Sequence, residues 1–307
     1  MQSEWKRDPK VWGAIVAALL FWASAFAGIR AAFGGHGGAD ALGYGAGEVA
    51  LGRFLTASMV LAAWALATRM RAPDPRDIWH IALAGLLGIT VYHVALNFGE
   101  LTVTAGAASL IISANPIFTA VLSTMFLGER LSGWGWSGVT VSFLGVALIA
   151  FGEGGTVSFE PAALLVLLAA MATALYFIVS KPLLKKYSAL EFTAYAIWAG
   201  TVPMLVFAPG LIEQHQVASH SATLSVLYLG VFPGAIAYAL WSYALARMPA
   251  SLLSSFLYAQ PVIAVIIAWF WLAEIPALLT IAGGLISLAG VVVVNAKGVQ
   301  RVSARST

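Results

Sequence analysis

Ten apolar runs fill nearly the whole chain, and each is about as long as a lipid bilayer is thick. They cover residues 11–33, 49–67, 78–98, 105–127, 136–151, 162–184, 192–208, 222–246, 251–272 and 278–294, numbered here segments 1 to 10. A helix rises about 1.5 Å per residue and the hydrocarbon core is about 30 Å thick, so roughly 20 apolar residues span it. The runs are continuous rather than alternating, which excludes a transmembrane barrel. Little chain is left over for a catalytic domain outside the membrane. Only 9% of the residues are charged and 61% are hydrophobic. A soluble domain carries about 25% charged residues, so a soluble enzyme is excluded, and so is disorder. Sixteen bases against thirteen acids, with no dense basic patch, argue against a nucleic-acid partner. With no cysteine there is no disulfide, thiolate zinc site or cysteine nucleophile.

The separators carry turn chemistry: Gly34-Gly35-His36-Gly37-Gly38, Ala72-Pro73-Asp74-Pro75, Gly152-Glu153-Gly154-Gly155 and Pro209-Gly210. Basic residues set the orientation. With the N-terminus inside, the inner stretches hold Lys6, Arg7, Lys10, Arg69, Arg71, Arg76, Arg130, Lys181, Lys185, Lys186, Arg247, Lys297, Arg301 and Arg305. The outer loops hold none, and Arg30 and Arg53 lie toward the outer ends of segments 1 and 2. This partition predicts an even number of spans with both termini inside. Trp12, Trp79, Trp134 and Trp136 sit at run ends, where an interfacial aromatic belt is expected. Lys6–Lys10 followed by an apolar stretch and Ala23-Ser24-Ala25 also has the outline of a cleavable signal peptide. Cleavage there would leave nine spans and spoil the charge partition.

An ungapped offset of 145 lays Pro116 on Pro261, Ser109 on Ser254, Ala114 on Ala259, Glu129 on Glu274 and Gly145 on Gly290. Each half then holds five segments, and an odd number reverses the second copy. The loop with Glu129 carries Arg130 and falls inside, while the loop with Glu274 carries no base and falls outside. Inverted repeats of this kind let two halves exchange conformations around a midplane site, which is the architecture of a secondary transporter. The expected fold is an all-α polytopic membrane protein of ten transmembrane helices. Residues 1–152 form the first five-helix repeat and 153–307 the second, inverted one.

The paired blocks Pro116…Glu129 and Pro261…Glu274, with Arg53-Phe54 early in segment 2, resemble the drug/metabolite transporter superfamily. Within it the chain is most similar to the ten-helix EamA-type exporters. Tyr92-His93 and the mid-segment aromatics resemble the members that export aromatic amino acids among others. The resemblance implies a carrier of small molecules in the cytoplasmic (inner) membrane, with no cofactor. The small multidrug-resistance relatives use a buried Glu in their first helix, and segments 1 and 6 contain no Asp or Glu. That departure speaks against proton-coupled export of lipophilic cations and for a neutral or zwitterionic cargo.

Polar residues inside hydrocarbon are costly and face the bundle interior. Thr90, His93, Asn97 and Glu100 share one stripe of segment 3, and Ser109, Ser113 and Pro116 share one of segment 4. Segment 9 repeats that spacing at Ser254, Tyr258 and Pro261, and segment 8 offers Tyr238 and Trp241. The expected cavity lies between segments 3, 4, 8 and 9. Its candidate substrate contacts are Trp22, Tyr92, His93, Asn97, Ser113, Asn115, Tyr176, Trp198, Tyr238, Trp241, Tyr258 and Gln260. Each aromatic has a bland reading as packing, and His93 as a packed histidine bonded to a carbonyl. Pro116 and Pro261 remove backbone donors in mid-span and are candidate hinges or plain kinks. Arg30 and Arg53 read either as snorkelling side chains, with Glu48 as a partner, or as captors of a substrate carboxylate. Glu129 and Glu274 read as loop anchors. His93 and Glu100 are the candidates if a proton is coupled. No metal site, ATP-binding loop or catalytic constellation is visible, so no enzyme is expected. The rivals are a broader drug or sugar-derivative exporter and, remotely, an intramembrane enzyme.

Overall fold

The structure is a computed structural model that describes residues 8–34, 42–126, 130–152, 160–247, 253, 256–293, 296 and 299–300. Glu129 and Ser254 lie outside the described residues, as do the side chains of Pro116 and Tyr258.

Local chemistry explains where the helices start. Asp8 accepts a hydrogen bond from the backbone of Lys10, and Pro9 occupies the first turn of helix Pro9–Ala32. Ser188 and Glu191 cap each other's backbone at the start of segment 7. The Thr104 and Ser219 side chains cap segments 4 and 8 by accepting from the backbone of Ala107 and Ala222. Segment 2, Ala46–Thr68, ends where Arg69 turns left-handed at φ 51°.

Among the described residues, six helices are long and apolar enough to cross a membrane: Pro9–Ala32, Ala46–Thr68, Pro75–Gly99, Ala163–Leu183, Ala189–His215 and His220–Arg247. These are segments 1, 2, 3, 6, 7 and 8. Segments 4, 5, 9 and 10 contain shorter apolar helices. Three long elements followed by two shorter ones therefore occur twice along the chain. Leu66, Trp79, Val206, Phe270 and Leu278 are each more than 70% exposed. A soluble monomer does not carry such a surface, whereas lipid solvates it. A two-residue antiparallel pairing, Arg130 with Gln300 and Leu131 with Val299, ties the 4–5 connection to the chain end.

Two departures from ideal helix recur at matching places. Segments 3 and 8 contain wide π-helical turns at Leu86–Val91 and Gly230–Ile236. Such turns rotate the faces above and below them relative to each other. Segments 4 and 9 break just before their prolines. Helix Ala105–Ile112 gives way to Asn115–Phe126, and the tight turn Phe256–Ala259 precedes Gln260–Leu272. The missing donor and the ring of proline account for both breaks.

Segments 5 and 10 cross with backbones in contact. Ser142 Oγ donates to the carbonyl of Ser287 at 2.7 Å, across 145 residues. A Cβ added at Gly145 would meet Gly283 O and Ser287 N, and one at Gly290 would meet Gly138 O and Ser142 N, all within 2.6 Å. Gly138 and Gly283 are equivalent under the offset, as are Gly145 and Gly290. The contact is therefore reciprocal, and it runs antiparallel.

The connections meet in two sets. The 1–2 loop contacts the 7–8 loop through Gly45 N to Gln214 at 2.8 Å and Tyr44 to His215 at 2.8 Å. The 2–3 loop contacts the 6–7 loop, where Lys186 Nζ lies 2.9 Å from Asp74 and 2.6 Å from Asp77. Hydrogen bonding from Lys186 and Tyr187 holds the Asp77 carboxyl below its usual range. A backbone hydrogen bond from Arg76, and then Lys186, does the same for Asp74.

Candidate substrate site

At the centre of the bundle lies a void of about 30 Å³. Its walls include Trp22, Tyr92, Asn115, Tyr176, Tyr238 and Gln260, with Ile112, Thr173, Phe177 and Leu257 completing them. Segments 1, 3, 4, 6, 8 and 9 all contribute. The expected quartet of segments 3, 4, 8 and 9 is thus extended by two. Thr173 and Phe177 escaped the sequence reading, although they share a helical face with Tyr176. A void of this size holds about one water molecule. It is too small to hold a metabolite with its walls as they stand.

The polar atoms of the site are tightly specified. His93 Nε2 lies 2.9 Å from the Tyr238 hydroxyl, which itself donates to Gly88 O at 2.9 Å. A carbonyl only accepts, so the one hydroxyl proton goes to Gly88 and His93 donates through Nε2. His93 is thus bonded to a hydroxyl rather than to the carbonyl of the bland reading. Asn115 Nδ2 donates to Ala170 O at 3.0 Å, pinning the break in segment 4 to segment 6. Trp22 donates to Pro233 O and packs against Tyr238 and Trp241, with ring centroids 5.3 and 5.0 Å apart.

Other candidates stand elsewhere. Ser113 and Ser109 return their hydroxyls to their own helix at Leu110 O and Gly106 O. Trp198 donates to Ser58 O and lines a separate groove with Tyr195 and Met70. The stripe of segment 3 does not face one cavity. Thr90 bonds to segment 7 at Gly200 O, His93 to segment 8, and Asn97 to segment 2 at Ala46 O. The π turn beside Thr90 and the packing of segment 3 between several neighbours divide it. Trp241 stacks on Phe177 with its Nε1 unpartnered. Pro261 is buried at the first turn of its helix.

The arginines depart furthest from the snorkelling reading. Arg30 pairs with Glu274 at 3.1 Å, not with Glu48, and also donates to Glu100 O at 2.7 Å. Glu274 accepts a second bond from Ala105 N at 3.1 Å and so anchors its loop to segments 1 and 4. Arg53 is 1% exposed and its guanidinium lies over the Phe54 ring at 5.2 Å. Packing of segments 1 and 3 around that position covers it.

Comparison with known proteins places these features. The model of the EamA-like transporter family matches residues 11–151 and again residues 160–296. The uncharacterized transporter YdfC of Bacillus subtilis is 45% identical over 270 residues, covering 88% of this chain and 86% of that protein. A probable terminal-alkyne amino-acid exporter of Streptantibioticus cattleyicolor is 39% identical over 302 residues, 98% of each chain. The uncharacterized inner membrane transporter YedA of Escherichia coli K12 is 28% identical and covers 70% of each. A crystal structure with a TM-score of 0.62 and 18% identity, covering 93% of this chain and 96% of its own, shares the fold.

Proposed function

This chain belongs to the EamA-like transporter family, and from that premise we propose that it exports amino acids, aromatic ones included, and similar small zwitterionic metabolites. It works by alternating access. Ten spans form two inverted five-helix repeats, 1–152 and 153–307, with both termini on the cytoplasmic side of the inner membrane. The reciprocal antiparallel crossing of Ser142 and Ser287 supports the inversion, because only an axis perpendicular to both helices pairs them so. The name of the Escherichia coli relative supports the membrane.

The central void is the observation that carries the reading. Tyr92, Tyr176, Tyr238 and Trp22 offer ring faces to a flat side chain or an ammonium group, and Asn115 and Gln260 offer amides. The whole-length likeness to a probable amino-acid exporter supports the same class. The breaks before Pro116 and Pro261 and the paired π turns are where the walls separate. The cargo is carried without chemical change, so no catalytic residue and no cofactor are involved.

Cells producing the protein should survive growth-inhibiting concentrations of p-fluorophenylalanine and release phenylalanine to the medium. Equal sensitivity of producing and control cells, at equal membrane abundance, would contradict the substrate class.

A further inference from the structure

Arg53 sits two helical turns inside segment 2 and is buried, yet its Nε and Nη1 have no hydrogen-bond partner. A guanidinium keeps its charge in any protein environment, so its donors stay costly while unmade. Glu100 does not supply one, since both of its buried carboxylate oxygens are also without a hydrogen-bond partner. Arg53 lines a void of about 10 Å³ together with Trp22, Tyr92 and His93. Trp22 and Tyr92 line the central void as well, so those two rings form the wall between Arg53 and the substrate site.

We propose that Arg53 is the anchor for the carboxylate of the transported molecule, reached when Trp22 and Tyr92 part. The planar fork of a guanidinium matches a carboxylate, and a buried arginine with donors to spare gains most from one. A purely structural Arg53 would satisfy these donors within the fold; here Nε and Nη1 are left unmade. The anchor also explains why a bundle with so little buried charge retains this one. A zwitterion brings its own negative group to the buried guanidinium. The proposal rests on the amino-acid reading and narrows it to molecules with a free carboxylate.

The test is ligand-induced thermal stabilisation of the purified protein in detergent by phenylalanine, phenylalaninamide and phenethylamine. Wild type should bind phenylalanine at least about tenfold more tightly than the other two, the worth of one hydrogen bond to a charged group. In Arg53→Gln the preference should collapse to about one, and Arg53→Lys should keep part of it. Equal affinity of wild type for acid and amide would overturn the anchor while leaving amino-acid export standing. So would an Arg53→Gln protein that keeps the preference. Wild type that binds no amino acid at all would overturn both. If Arg53→Gln does not fold, the acid-to-amide ratio of wild type decides alone.

Discussion

His93 and Tyr238 are 145 residues apart and share a hydrogen bond of 2.9 Å at the wall of the central void. The same offset relates Ser142 to Ser287, which also bond to each other. In the proposed inverted-repeat architecture, equivalent positions touch each other where the pseudo-two-fold axis passes between them. On that proposal the bond joins the two halves, and a motion that separates them must change it.

Tyr238→Phe removes the proton donated to Gly88 and the acceptor used by His93. It leaves two buried polar groups unpaired, at about 1–3 kcal/mol each. Thermal unfolding in detergent should occur several degrees lower, and transport should fall with it. An unchanged unfolding temperature would show that the pair does not hold the halves together.

Gly145 and Gly290 are predicted to be equally intolerant of a methyl group, since each faces the backbone of the other's helix. Gly145→Ala and Gly290→Ala should each destabilise by about 1–3 kcal/mol, the usual cost of overpacking. Gly13→Ala is the control, because nothing lies within 4 Å of its added Cβ. Unequal losses at the two crossing glycines would argue against the reciprocal packing.

The clasp of Lys186 with Asp74 and Asp77 has a defined pH window. Both carboxyls are held below their usual range, so their contribution is present at neutral pH and lost as pH falls through and below that range. Lys186 is raised by the same contacts, so its share is present below the ordinary ammonium range and lost only as pH rises beyond it. Protection of the 2–3 loop from proteolysis should be flat from about pH 5 to pH 9 and drop below about pH 4, near the reference carboxylate values. Lys186→Met should abolish that dependence.

Arg30 and Glu274 tie segments 1 and 4 to the 9–10 loop at the opposite end. Glu274→Gln should weaken this closure by roughly 1.5–3 kcal/mol, the worth of a hydrogen bond between charged groups. The chain has no cysteine, so Thr173→Cys gives a single reporter inside the void. A membrane-impermeant thiol reagent on the Arg30 side should label it faster when Glu274→Gln is added. An unchanged rate would mean that this pair does not gate the path.

Much of this architecture was legible in the chain and some was not, for physical reasons. Length and apolarity announced segments 1, 2, 3, 6, 7 and 8, while the breaks that shorten segments 4 and 9 follow from Pro116 and Pro261. Trp22, Tyr92, Asn115, Tyr176, Tyr238 and Gln260 were named from their types and positions, and they meet at one void. Trp198 was named on the same grounds and faces another groove, because helix rotation is set by neighbours that a run of apolar residues does not encode. The π turns carry no residue signature, so the division of the segment 3 stripe was hidden. Arg53 looked free to reach the interface from its place near a run end. Its burial depends on the helices packed around it.

Transport by the reconstituted protein decides whether it carries amino acids. Purified protein in liposomes should take up radiolabelled phenylalanine, methionine or threonine in a saturable way, at a rate that an imposed pH gradient leaves unchanged. Uptake of all three no faster than in protein-free liposomes, from protein that is folded and correctly inserted, would rule out amino-acid carriage.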